Sequence, residues 1–221
     1  MASAAFGKAY FEKATFWKAV FEKTPSGNMS AIRILVVPGS TRAGSHNTRL
    51  AAVATKEFAL AGVDVSRISL ADFALPIYDA DLEAQSGVPK AALDLKRLIG
   101  THQGVLIVSP EYNAAVPALL KNAIDWVSRV RERTEAPLAV FHDRAFAIAA
   151  ASETKFGGMR ALIALRQILT LGCGANVIPR QLALSAADHA FDDDDRLKDP
   201  RDAEALRAMV RQLIDAAQTT S

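Results

Sequence analysis

The sequence predicts an α/β fold: a three-layer sandwich with helices on both faces of a five-stranded parallel sheet of order 2-1-3-4-5. Three observations carry this expectation. Short apolar runs recur along the chain, separated by segments with helical patterning. Those segments are long enough for right-handed crossovers, which join successive strands in parallel. The loops after the first, third and fourth runs have unusual compositions, and such sheets bind ligands beyond the carboxyl ends of their strands, at the switch point.

The elements follow in chain order. Ile32-Arg33-Ile34-Leu35-Val36-Val37 is nearly all apolar, as suits a strand buried on both faces. After a turn from Pro38 to Gly44, Leu50, Val53, Ala54, Phe58 and Ala61 recur at helical spacing, and Gly62 is placed to end that helix. Val63 to Leu70 reads as the second strand, 71–87 as a loop containing Pro and Asp, and 88–100 as a helix opening at Pro89. Gly104 to Val108 is the third strand. The next helix carries Pro117 in its first turn, with Val116, Leu119, Leu120, Ala123, Ile124 and Val127 on one face. Arg144 to Ala151 is the fourth strand, and the Gly157-Gly158 turn leads into a helix ending near Gly172. Asn176 to Pro179 is a short fifth strand. A last helix, about 201–217, sets Leu206, Met209, Val210, Leu213 and Ile214 on one side.

Composition narrows the function classes. The chain has 221 residues, half of them hydrophobic, so a sizeable core is available. Its 26 basic and 24 acidic residues give weak support to a nucleic-acid or anionic-membrane partner. A single cysteine, Cys173, excludes an intramolecular disulfide and points to a reducing compartment, the cytoplasm. No run of 18 apolar residues suggests a membrane span.

Residues 1–30 form an N-terminal extension apart from the domain expected over 31–221. From Phe6 they repeat a five-residue unit, FGKAY, FEKAT, FWKAV, FEKTP. Five residues advance a helix by about 500°, so the phenylalanines spiral round it and make no stripe. The segment carries four lysines and two glutamates, the whole net charge of +2. Three readings stand: an appended tag or mis-assigned start ahead of Met29, an arm packing on a partner subunit, or a membrane-surface anchor.

The loop after strand 1 reads Gly39-Ser40-Thr41-Arg42-Ala43-Gly44-Ser45-His46-Asn47-Thr48 and opens a helix. Helix N-termini favour anions. Ser40, Ser45 and Asn47 can donate to phosphate oxygens, and Arg42 adds a charged fork. The bland alternative is a turn with Ser45 or Asn47 as helix cap. Gly39 and Gly44 have the spacing of a nucleotide-triphosphate loop, but Ser45-His46 stands where that loop needs its lysine. The dinucleotide fingerprint G-x-G-x-x-G is absent. A monophosphate such as that of FMN fits better. After strand 3, Ser109-Pro110-Glu111-Tyr112-Asn113-Ala114-Ala115 offers Tyr112 as a flat face for a ring and backbone N–H groups for its edge, or is an ordinary strand-to-helix turn.

Together these loops resemble the NADPH-dependent FMN reductase family, which includes quinone, azo-dye and chromate reductases. The motif G-S-x-R-x-x-S-x-N is complete from Gly39 to Asn47. The motif P-E-Y-N is intact at Pro110 to Asn113, followed by P-x-x-L-K-N-A-I-D-W from Pro117 to Trp126. The resemblance spans about residues 31–217 and implies a flavodoxin-like fold. It implies that Ser40, Arg42, Ser45 and Asn47 hold the FMN phosphate, and that Pro110, Glu111, Tyr112 and Asn113 line the isoalloxazine. The loop from Ser152 to Gly158, with Ser152 and Gly157, is expected on the flavin's other side. Relatives often carry Gly and a small hydroxyl residue after P-E-Y-N, where this chain has Ala114 and Ala115. Leu75 to Glu83 is expected near the pocket mouth, reaching towards a neighbouring subunit in a homodimer or homotetramer. The implied activity passes hydride from NADPH or NADH through FMN to a quinone, azo compound, free flavin or metal oxyanion, with no catalytic side chain. A flavodoxin-like electron carrier and a non-catalytic flavin sensor are the alternatives.

Other features carry less. His46, His102, His142 and His189 show no metal-binding spacing. Asp192 to Asp195 lacks the ligand spacing of a calcium loop and reads as solvated. Cys173 reads as a buried small hydrophobe and Trp126 as helix packing.

Overall fold

The computed structural model describes residues 31–132 and 134–220. The N-terminal repeat and the three readings attached to it lie outside the described residues.

Five strands form one parallel sheet of order β2-β1-β3-β4-β5, with β1 at Arg33–Pro38, β2 at Asp64–Arg67, β3 at Gly104–Val108, β4 at Ala145–Ala151 and β5 at Asn176–Leu184. The expected order is thereby met. The three central strands are buried almost throughout, as their unbroken apolar runs require. Side chains alternate between the faces. Ile34, Val36, Leu106 and Ala147 join one core with α1 (His46–Leu60) and α7 (Pro200–Thr219), through Leu50, Phe58, Leu206 and Leu213. On the other face, Val37, Val105, Ile107 and Phe146 meet α3 (Lys90–Gly100) and α4 (Ala118–Arg129) around an apolar cavity of about 30 Å³. At α4 the expected face holds for Leu120, Ala123, Ile124 and Val127, but Leu119 is 37% exposed.

Three elements differ from expectation, each for a local reason. β2 stops at Arg67, and Leu70–Asp72 forms a 3₁₀ turn that Ser69 caps by accepting from the Ala71 N–H. Within 71–87 lies α2 (Ala80–Ser86); it buries no residue, so it leaves no apolar periodicity, and Asp79 caps it by accepting from Asp81 and Leu82. β5 runs past Pro179 to Leu184. It is an edge strand whose register against β4 shifts between Phe146 and Ile148, which is where a residue lacking N–H is tolerated.

Two shorter pieces complete the chain: α5 (Ala139–His142), and α6 (Met159–Gln167), which runs into a π-helical turn at Ile168–Gly172. Trp126 is fully buried, as the packing role requires. Its indole N–H donates to Pro76 O at 2.7 Å and its ring meets Tyr78 edge-on at 5.1 Å, while Asn122 bonds Pro76 O and the Tyr78 N–H. The loop from Leu75 to Tyr78 is thereby strapped over α4, within the stretch expected to be a loop.

Candidate flavin site

The loops after β1, β3 and β4 all leave the carboxyl edge of the sheet. Gly39 N–H bonds Val108 O at 2.8 Å and Ser109 N–H bonds Ala149 O at 2.8 Å, so the three chains begin their loops in step.

The first loop turns at Ser40 to Gly44 and enters α1 at Ser45, with Gly44 at φ +68°. Ser45 occupies the cap position, yet its hydroxyl makes no cap bond, and the first turn of α1 holds no acidic residue. The capping alternative thus fails for Ser45. The first N–H groups of a 15-residue helix keep their positive end available for an anion. Ser40 and Ser45 are both buried. Ser40 Oγ accepts from Arg42 N at 3.3 Å, which leaves its own hydrogen to donate. Arg42 is exposed and has no ion-pair partner among the described residues. Two buried hydroxyls, an uncapped helix start and an unpaired guanidinium are a donor set without an acceptor, and a phosphate dianion fits it.

Asn47 has a different position. It is buried, its Nδ2 donates to Ala151 O at 2.9 Å and its Oδ1 accepts from Ala151 N at 2.8 Å. It closes a two-bond clasp between the first turn of α1 and the end of β4, so its acceptor is spent on the scaffold. Beside it, His46 Nε2 lies 3.1 Å from Glu153 Oε1. A carboxylate only accepts, which puts the ring proton on Nε2 and leaves the buried Nδ1 without a partner. Sequence reasoning considered His46 only as a metal ligand; nothing in the text marks a pairing across 107 residues.

The second loop is a tight hairpin. Tyr112 and Ala115 exchange both backbone hydrogen bonds at 3.0 Å, and Asn113 and Ala114 between them have φ of +51° and +63°. Two consecutive left-handed residues make a type I′ turn, whose second position favours glycine. Ala114 holds it instead, and that is the physical content of the departure from P-E-Y-N-G. The turn lifts Tyr112 to the surface, half exposed, as a flat wall. Pro110 is buried beneath.

Glu111 turns away from the wall. Its side chain is 6% exposed, and Oε2 accepts from the N–H groups of Arg160 and Ala161 at 3.1 and 3.3 Å, at the start of α6. Its other oxygen is ion-paired with the Arg160 guanidinium. Gly158, the cap of α6, has φ +86° and no side chain, so Glu111 supplies the missing cap from another loop.

The third loop, Ser152 to Gly158, is thereby held from two directions, by His46 and Asn47 on one side and Glu111 on the other. Ser152 Oγ accepts from Thr154 N at 3.3 Å and lies 3.2 Å from Thr154 Oγ1. Gly157, at φ +58°, lies so close to β5 that a Cβ would come within 2.6 Å of Ala183 backbone atoms. The expected site residues therefore converge on one edge of the sheet.

Fold and loops together define a flavodoxin-like α/β protein whose candidate anion donors and exposed Tyr112 lie on loops leaving one edge of the sheet. The family profile described as NADPH-dependent FMN reductase matches residues 32–189. A quinone reductase of Escherichia coli is 40% identical over 139 residues, covering 62% of this chain and 69% of that protein. An NAD(P)H-dependent FMN reductase of Pseudomonas aeruginosa is 34% identical over 188 residues, covering 85% and 94%. Among solved structures, the flavoenzyme NAD(P)H:(acceptor) oxidoreductase FerB from Paracoccus denitrificans superposes with a TM-score of 0.71 at 26% identity, covering 86% of this chain and 98% of that one. The chain belongs to the NADPH-dependent FMN reductase family, and so to the flavin oxidoreductases that draw on NAD(P)H.

Among the described residues no helix is long and apolar enough to cross a membrane, and no group of three or more His, Cys, Asp or Glu is placed to hold a metal ion.

Proposed function

We propose that this chain holds FMN at the three loops and passes hydride from NAD(P)H to a quinone-type acceptor. The observation that carries the reading is the unsatisfied donor set at the start of α1: buried Ser40 and Ser45, a helix end without a cap, and unpaired Arg42. FMN supplies the hydride chemistry when bound.

This chain's residues bind and orient. Ser40, Arg42, Ser45 and the α1 N-terminus take the phosphate. Asn47 acts through the backbone of Ala151, fixing the height of the third loop, and its second Nδ2 hydrogen stays available to the phosphate. Pro110, Tyr112 and Asn113 line the ring, and Glu111 holds α6 at its distance from that wall. Ser152 and Gly157 border the far side. Both carboxylates nearest the cleft are engaged, Glu111 with α6 and Glu153 with His46, so neither serves as an acid. Water supplies the acceptor's protons. Quinones as acceptor follow the names of the relatives. We propose further that the protein is a cytoplasmic homodimer or homotetramer, with residues 31–221 as the working domain and 1–30 as a dispensable extension.

An absorbance spectrum with FMN followed by anaerobic NADPH tests the reading. Bound-flavin bands that bleach promptly, with steady turnover once a quinone is added, are expected. Bands that persist with NADPH and with NADH would leave a carrier or sensor and overturn the reductase assignment.

A further inference from the structure

Glu111 is ion-paired with Arg160, and Glu153 accepts a hydrogen bond from His46, which is no charge pair while the imidazole is neutral. That leaves Arg42 and Lys155 as the cations on the three loops with no ion-pair partner among the described residues. Arg42 belongs to the phosphate cradle. Lys155 does not: it sits at the tip of the third loop, exposed, with Nζ 5.3 Å from the centre of the Phe156 ring. The Arg160 guanidinium lies 5.5 Å from the same ring, which is itself 53% exposed. One ring therefore props two cations at a loop tip. The loop under them is fixed at both ends, by the Asn47 clasp to Ala151 and by the Glu111 cap on α6. A cation held out on a fixed loop beside the cleft is placed to read an anion that the FMN phosphate site does not consume.

The co-substrate carries such anions. The nicotinamide must reach the flavin, so the rest of the dinucleotide has to extend past the loops around it, of which the third carries Lys155. NADPH and NADH share the pyrophosphate; the 2′-phosphate of the adenosine ribose belongs to NADPH alone. Arg160 is compensated by buried Glu111, whereas Lys155 has no ion-pair partner among the described residues. We propose that Lys155, propped by Phe156, is a specificity-determining residue that binds the 2′-phosphate of NADPH. The proposal rests on the reductase reading.

The test titrates the FMN-loaded protein with two non-reducing probes, adenosine 2′,5′-bisphosphate and adenosine 5′-monophosphate. Wild type should bind the bisphosphate more tightly. Lys155→Ala should weaken the bisphosphate about tenfold, the scale of one charge-assisted contact, and leave the monophosphate alone; Lys155→Arg should restore it. In steady state the ratio of the KM for NADPH to that for NADH should rise by the same factor in Lys155→Ala. Equal weakening of both probes would assign Lys155 to the shared phosphates and overturn the proposal. So would a wild type that does not distinguish the two probes. If neither dinucleotide bleaches the flavin, the reductase reading fails while the probe titration still decides the lysine.

Discussion

Two concavities of this molecule invite comparison. One, about 620 Å³, lies between α4, the segment before α5 and the π-helical turn, and includes Glu83, Lys121, Asp125, Arg129 and Cys173 in its wall. No residue of the three loops lines it. Its polar side chains are largely satisfied: Lys121 Nζ lies 2.7 Å from Asp125, and Arg129 Nε 2.8 Å from Glu83. Burial raises the Cys173 thiol to about 11, so it stays protonated at neutral pH and is a poor nucleophile. The proposed flavin site is the opposite case, with Asn47 and Glu111 spent on the scaffold and the donors at Ser40, Arg42 and the start of α1 free of protein acceptors. A ligand adds most where polar groups lack partners, because bonds already made inside the protein must be given up before new ones form.

Breaking the scaffold of the cleft should have the largest effect. Asn47→Leu removes both bonds to Ala151 and leaves a buried N–H and C=O unpaired. A loss of about 2–3 kcal/mol in urea unfolding is expected, together with weaker FMN binding. Breaking the donor set alone should separate the two: Arg42→Ala should cost about 2 kcal/mol of FMN affinity, roughly thirtyfold in Kd by fluorescence titration, with the urea midpoint unchanged because the side chain is exposed. Smaller still, Ala114→Gly should raise stability by about 1 kcal/mol by relieving the left-handed alanine of the hairpin, measured by the same unfolding curve. On the other side of the comparison, Lys121→Ala should change stability by less than about 0.5 kcal/mol and FMN affinity not at all, since its partner is exposed to screening solvent. An FMN effect from that variant as large as Arg42→Ala would erase the distinction between the hollows.

Much of this was legible in the text, for definite reasons. Buried strands such as Gly104–Val108 announce themselves because both faces must be apolar, and the helix beginning Pro117-Ala118 has its period written in Leu120, Ala123, Ile124 and Val127. The donor residues Ser40, Arg42 and Ser45 are contiguous, so one window contains them. What stayed hidden depends on distant pairing. The cap that Glu111 places on α6 and the clasp of Asn47 to Ala151, 104 residues away, join positions that no local window contains. Edge elements also stayed hidden, because α2 buries nothing and β5 continues beyond a proline.

The central claim is that a phosphate cradle at the start of α1 holds the flavin. The most direct measurement compares the dissociation constants of FMN and riboflavin for the flavin-free protein, since the two differ only by that phosphate. The account predicts riboflavin on the order of a hundredfold weaker, about 3 kcal/mol for several charged hydrogen bonds that partly replace water. Equal affinities would mean that the cradle does not grip the phosphate, and would contradict the site described here.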